Sequence, residues 1–192
     1  MKRFLLYFAG LVILLSQSSC GYNSMVSKDQ AVKAQWANVQ NSYQRRADLI
    51  PNLVNTVKGA ANFEKSTLTD VINARAKATS VQLSADQLTP ENLKRFQEAQ
   101  SQVSAGLGRL LAVSENYPEL KANANFQELQ AQIEGTENRI NVERGKFNGV
   151  TNDYNGYIKS FPNNLFAGMF GFKEKSYFEA DAASQKAPTV QF

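Results

Sequence analysis

The apolar residues step by threes and fours along most of the chain. Val32, Trp36, Val39 and Tyr43 open one such stripe, and Ile50, Leu53 and Val57 continue it, the spacing of a helix with one buried face. Arg46 falls on the stripe where an apolar residue would be expected. Pro51 lies within the pattern, has no N–H to give the carbonyl four residues back, and predicts a kink near Ala47. Gly59 and Ala60-Ala61-Asn62 predict a break. A second helix is then expected over about 63–79, with Leu68, Val71 and Ile72 inward.

Residues 80–88 lose the period and predict a loop. Thr89-Pro90-Glu91 is a strong helix start, with a hydroxyl cap, proline in the first turn and an acid at the positive end. Leu93, Phe96, Val103, Leu107 and Leu110 carry that helix to about Ser114, and Tyr117-Pro118 marks the next turn. The last helix, from Pro118 or Asn123, holds the longest seam: Phe126, Leu129, Ile133, Thr136, Ile140, Phe147, Val150, Tyr154, Tyr157 and Phe161, with Glu143 in one polar slot. Phe161-Pro162 ends it. Runs of β-type alternation are few. The expected fold is therefore all-α, an antiparallel up-and-down four-helix bundle of long helices with an aromatic-rich, irregular C-terminal segment.

The first twenty residues follow a different rule. Lys2-Arg3, an apolar run over 4–15 and then Ser16-Gln17-Ser18-Ser19-Cys20 give the basic, apolar, small-residue order of a secretory signal. As a helix the run rises about 18 Å, short of the roughly 30 Å hydrocarbon core. Cys20, the chain's single cysteine, stands just after two small residues, a placement that resembles a bacterial lipoprotein box. Gln17 departs from the aliphatic residue usual there. Cleavage before Cys20 and lipidation of its thiol is the preferred reading, with an uncleaved anchor and plain secretion as alternatives. The expected division is a signal peptide over 1–19, a tether over 20–28, the bundle over 29–161 and a C-terminal segment over 162–192.

Composition narrows the chemistry. The 192 residues contain no His, which removes the commonest general base and metal ligand. One Cys excludes an intramolecular disulfide framework and a thiolate zinc cluster. No phosphate-cradling glycine loop, dinucleotide turn or serine elbow occurs. No catalytic residue, cofactor or metal is therefore assigned. The formal charge of +4 falls to +2 on removal of residues 1–19, which contain Lys2, Arg3 and no acid. The remaining cations are scattered, with no basic stripe to suggest nucleic-acid binding.

Several runs together resemble the LemA family. They are Tyr22-Asn23, Trp36, the stretch from Arg45 to Val54, Val57-Lys58-Gly59-Ala60, Asn73-Ala74-Arg75, and Glu115 to Ala122 with Phe126 and Leu129. Further on come Glu134-Gly135-Thr136-Glu137-Asn138-Arg139-Ile140, Arg144, Phe147-Asn148, Tyr154-Asn155, Phe161-Pro162, Phe170-Gly171-Phe172 and Tyr177-Phe178-Glu179. The resemblance implies a four-helix bundle behind an N-terminal membrane attachment and supplies no activity. The family's usual start is a full transmembrane anchor. Here the segment is shorter and ends in Cys20, which would place the bundle outside the cytoplasm.

Three groups are candidate sites. Arg46, Asp48, Arg75, Glu137, Arg139 and Arg144 form a polar set that would converge if their helices are neighbours, fixing register or receiving a ligand. Asn148, Asn152 and Asn155 lie near Tyr154 and Tyr157. Phe161, Phe166, Phe170, Phe172, Tyr177 and Phe178 put six aromatics in 18 residues, against 10% for the chain. That segment can fold back, lie on lipid with Lys159, Lys173 and Lys175 around it, or receive a partner. The final Thr189-Val190-Gln191-Phe192 reads as a frayed apolar end. The expected function is non-catalytic: a lipid-anchored bundle in the bacterial cell envelope, inner or outer membrane, binding or scaffolding an unidentified envelope protein. The rival is direct action on the membrane surface through the aromatic segment.

Overall fold

The computed structural model describes residues 2–59 and 63–179, with side chains from Gly21 onward. Six α-helices and one 3-10 turn make up the regular structure: α1 (Lys2–Lys58), α2 (Lys65–Ser80), the turn Ala85–Gln87, α3 (Pro90–Ser114), α4 (Pro118–Lys121), α5 (Ala124–Lys159) and α6 (Asn163–Ala167). No strand occurs among the described residues, and the protein is an all-α helical bundle.

The helix starts follow from local chemistry. Thr89 caps α3 by accepting from the amide of Asn92 at 3.3 Å, with Pro90 in the first turn. Asn123 opens α5 in the same way, its Oδ1 accepting from Asn125 and Phe126 amides at 3.0 and 3.2 Å. The expected loop over 80–88 holds the 3-10 turn, closed by a reciprocal Ser84–Gln87 capping box.

Contacts divide the chain into two compact units, Met1–Arg45 with Thr136–Lys175 and Arg46–Gly135 with Ser176–Phe192. In the first unit α1 and α5 run antiparallel. Lys28 lies over the Tyr157 ring at 5.5 Å, Gln35 bonds Glu143 at 2.6 Å, and Trp36 meets Phe147 edge-on at 5.5 Å, so numbers rise along one helix as they fall along the other. Met25, Val32, Trp36, Val39, Ile140, Phe147 and Tyr154 are buried between them. The second unit buries a mainly aliphatic cluster from Ile50 to Ile133, with Leu53, Val57, Val71, Val103, Leu107 and Leu110 at its centre.

Two expectations change. The stretch 20–28 is helical throughout, and Met25 within it is 1% exposed. The three-four register extends back from Val32 through Asp29 and Met25 to Tyr22, so the same periodicity that makes the bundle makes this stretch part of it. Ile72, expected inward, is exposed; Leu68, Val71 and Ala78 define the buried stripe of α2 and Ile72 falls beyond its edge. Pro51 lies inside α1, which continues to Lys58.

Candidate functional site

The backbone accounting at Pro51 explains that continuity. Pro51 cannot donate to the carbonyl of Ala47, and the Arg75 Nε donates to that same carbonyl at 2.7 Å. A side chain of α2 thus replaces the missing rung of α1. Arg46, 2% exposed, donates to the Gln100 carbonyl at 3.1 Å, the Gln100 side chain at 2.6 Å and the Ser104 hydroxyl at 2.7 Å. Two polar residues of the second unit therefore lock α1 to α2 and to α3, where plain apolar packing would leave register less defined.

The other members of the polar set are placed differently. Asp48 is exposed at the surface of the second unit, whereas Glu137 and Arg144 are half-buried on α5 in the first and Arg139 is exposed there. The six thus divide three and three between the units. Glu143 is the buried acid of the first unit. It accepts from Gln35 Nε2 at 2.6 Å and from Lys146 Nζ at 3.0 Å. These bonds, Gln35's foremost, hold its carboxyl below the ordinary value of 4.5.

Polar bonds also fasten the C-terminal segment to the first unit. After α6, Gly171 adopts a positive φ of 78°, a conformation that suits glycine, and the chain turns into an extended strap. The Asn155 side chain donates to the Lys175 carbonyl at 2.8 Å and accepts from the Lys175 amide at 3.0 Å, as a paired strand would. Tyr154 donates to the Lys173 carbonyl at 2.9 Å. Burial, reinforced by the negative charge of Asp29, pushes the Tyr154 phenol up to about 12. Lys175 Nζ reaches Asp29 at 2.9 Å and lies 5.5 Å from the Tyr154 ring centre. Within the second unit the strap continues with Ser176 donating its amide to the Leu88 carbonyl at 3.3 Å. Gln97 then donates to the Glu179 carbonyl at 3.1 Å.

The aromatic segment separates into two kinds of position. Phe178 is buried, and Phe166 and Phe172 are half-buried. Phe161 is 80% exposed, and Phe170 and Tyr177 are also outside. Leu165 and Met169, unremarked in the sequence, join Phe161 and Phe170 as exposed apolar groups. Their four-residue spacing around Phe161 was the available signal. Tyr22 packs on Phe170 and Phe172, with ring centres 5.0 and 5.9 Å apart. Of the expected flanking cations, Lys159 is paired with Glu174 at 2.5 Å, Lys175 is buried against Asp29, and Lys173 is exposed.

Cys20 belongs to the stretch whose side chains lie outside the described structure, as the tail 180–192 does entirely. Among the described residues no helix is long and apolar enough to cross a membrane.

A helical bundle with these bonds and motifs falls in a known class: the LemA family pattern matches residues 35–192, and the chain belongs to that family. It is similar to magnetosome protein MamQ 2 of Paramagnetospirillum magneticum, 26% identical over 179 residues that cover 84% of this chain and 66% of the relative. Magnetosome protein MamQ of Magnetospirillum gryphiswaldense is 25% identical over 190 residues, covering 90% of this chain and 70% of its own. Protein LemA of Metamycoplasma hominis is 25% identical over 142 residues, 74% of this chain and 61% of its own. This chain thus spans about two thirds of the length of these relatives.

Proposed function

We propose that this LemA-family bundle is held at a membrane by its N-terminus, through a lipidated Cys20, and works without catalysis by presenting its helical faces to other proteins of the cell envelope. The observation that carries the reading is the continuity of α1. The helix that holds the apolar run and Cys20 leads with no loop into the seam of Met25, Val32 and Trp36. Attachment at Cys20 would therefore position the first unit close to the bilayer. Confinement of this kind raises the effective concentration toward membrane-bound partners without new contacts.

The polar chemistry supports a structural role. The lowered Glu143 is explained by its bonds to Gln35 and Lys146, and the raised Tyr154 by burial beside Asp29 where it holds the strap. The relatives include proteins named for the magnetosome.

The test compares the full chain with Cys20→Ala by intact mass, membrane fractionation and crosslinked recovery from detergent-solubilised envelopes. The expected result is an acylated chain beginning at Cys20, loss of the membrane fraction in the variant, and a defined protein crosslinked to the lipidated form alone. Recovery of lipid with no enriched protein would overturn the presentation mechanism. An unmodified Cys20 would overturn the lipid anchor.

A further inference from the structure

Five of the eight large apolar side chains exposed among the described residues lie together in the first unit: Tyr22, Phe161, Leu165, Met169 and Phe170. Two of them are about four-fifths exposed, Phe161 at 80% and Met169 at 79%. Leu165 lies in α6, with Phe161 just before it and Met169 and Phe170 just after. In α6, Ala167 is buried and Phe166 half-buried, so the inward face is already satisfied, while Leu165 at 60% points away. A cluster of this size costs free energy in water and marks a surface that something covers.

Its position identifies the occupant. Tyr22 packs edge-on against Phe170 and Phe172. A Cβ on Gly21 would lie 3.0 Å from Asn163 Oδ1, so the start of α6 sits directly against the backbone one residue after Cys20. The apolar run over 4–15 ends only six residues before Gly21, roughly 9 Å along a helix. Under the membrane attachment proposed above, on which this inference rests, the patch stands at the level where the chain meets lipid.

We infer that Phe161, Leu165, Met169 and Phe170, with Tyr22 beside them, form a seat that enters the bilayer interface and fixes how the bundle stands on the membrane. Aromatic and aliphatic groups on a short helical turn suit the headgroup–acyl boundary, where such elements insert by about 5–10 Å. The contact is apolar in character. Lys159 and Lys173 are exposed, but Lys159 is paired with Glu174, and the buried Lys175 is paired with Asp29. Insertion therefore does not require anionic lipid.

The experiment uses the full lipidated chain in vesicles of phosphatidylethanolamine and phosphatidylglycerol with brominated acyl chains. Trp36 is the only tryptophan and is 1% exposed, so it gives a constant background. Met169→Trp adds an emitter on the patch, and Val142→Trp adds one at a 54% exposed site on α5. The expected result is a blue shift and loss of most of the added emission for Met169→Trp, with Val142→Trp unquenched. The same quenching is expected in phosphatidylcholine vesicles. Emission from Met169→Trp matching that of Val142→Trp, in a chain that still floats with the vesicles, overturns the seat and leaves the attachment standing. Quenching only with phosphatidylglycerol overturns its apolar character. Failure of the chain to float overturns the attachment and the seat with it.

Discussion

The two units solve the same problem with different materials. The second unit closes on aliphatic side chains, Ile50, Leu53, Val57, Val71, Val103, Leu107 and Leu110, all at most 3% exposed. The first closes on Trp36, Phe147 and Tyr154 and then relies on Asp29, Glu143, Asn155 and Lys175. Aliphatic burial is non-directional and indifferent to protonation. Side-chain hydrogen bonds in a half-buried setting are directional, and some of them titrate. The comparison teaches that the unit nearer Cys20 in sequence is the one whose strap and helix pairing depend on geometry that pH and single polar substitutions can undo.

The largest effect that tests this contrast is removal of the first unit's main core group. Trp36→Ala should cost about 3–5 kcal/mol, read from denaturant unfolding; a cost under about 1 kcal/mol would place the core of that unit elsewhere. Next comes the strap. Asn155→Leu leaves the Lys175 amide and carbonyl without their partner, for an expected loss of about 3 kcal/mol. Limited proteolysis should then cut near 173–176 in the variant before the wild type.

A smaller effect probes the second unit at the polar splice beside Pro51. Arg75→Ala should cost about 2 kcal/mol by stranding the Ala47 carbonyl. In a Pro51→Ala background the restored amide can serve that carbonyl, so the Arg75→Ala cost should shrink. Equal costs in both backgrounds would show that Arg75 does not replace the missing rung.

Glu143 predicts a pH dependence specific to the first unit. Its carboxyl is held below the ordinary value of 4.5, so its contribution is complete above that value and fades as pH falls through the lowered one. The stability gap between wild type and Glu143→Gln should be steady near neutrality and narrow below pH 4.5. A gap that widens on acidification would reverse the sign. The smallest effect belongs to Thr151, whose Oγ1 is the buried side-chain polar atom left without a partner among the described residues. Thr151→Val should be neutral or stabilise by up to about 1 kcal/mol.

Much of this was legible in the sequence, and the gaps have physical causes. The seams from Val32 to Val57 and from Phe126 to Tyr154 fixed the two long helices because burial on one face imposes a three-four spacing that composition cannot hide. The Thr89 cap was legible because its chemistry is local. The damage at Pro51 was readable for the same reason, but its repair by Arg75 was not, since the partner lies on another helix. The helix over 20–28 was harder to read, because Met25 and Asp29 are the positions that continue the register of Val32, and mostly polar residues surround them. The polar set was readable as residue types on seams, whereas which of them bond within which unit depends on tertiary placement. The aromatic segment's split into buried Phe178 and exposed Phe161 and Phe170 was likewise closed to the sequence, because density of aromatics says that they need a surface and not which surface they find.

The most direct measurement of the contrast between the units is hydrogen exchange at single amides, in wild type and Asn155→Leu. The Lys175 amide, which donates to the Asn155 side chain at 3.0 Å, should exchange slowly in wild type and fast in the variant, with Leu107 and Leu110 in α3 unchanged. Fast exchange of Lys175 in the wild type, or equal loss of protection in α3, would contradict the account.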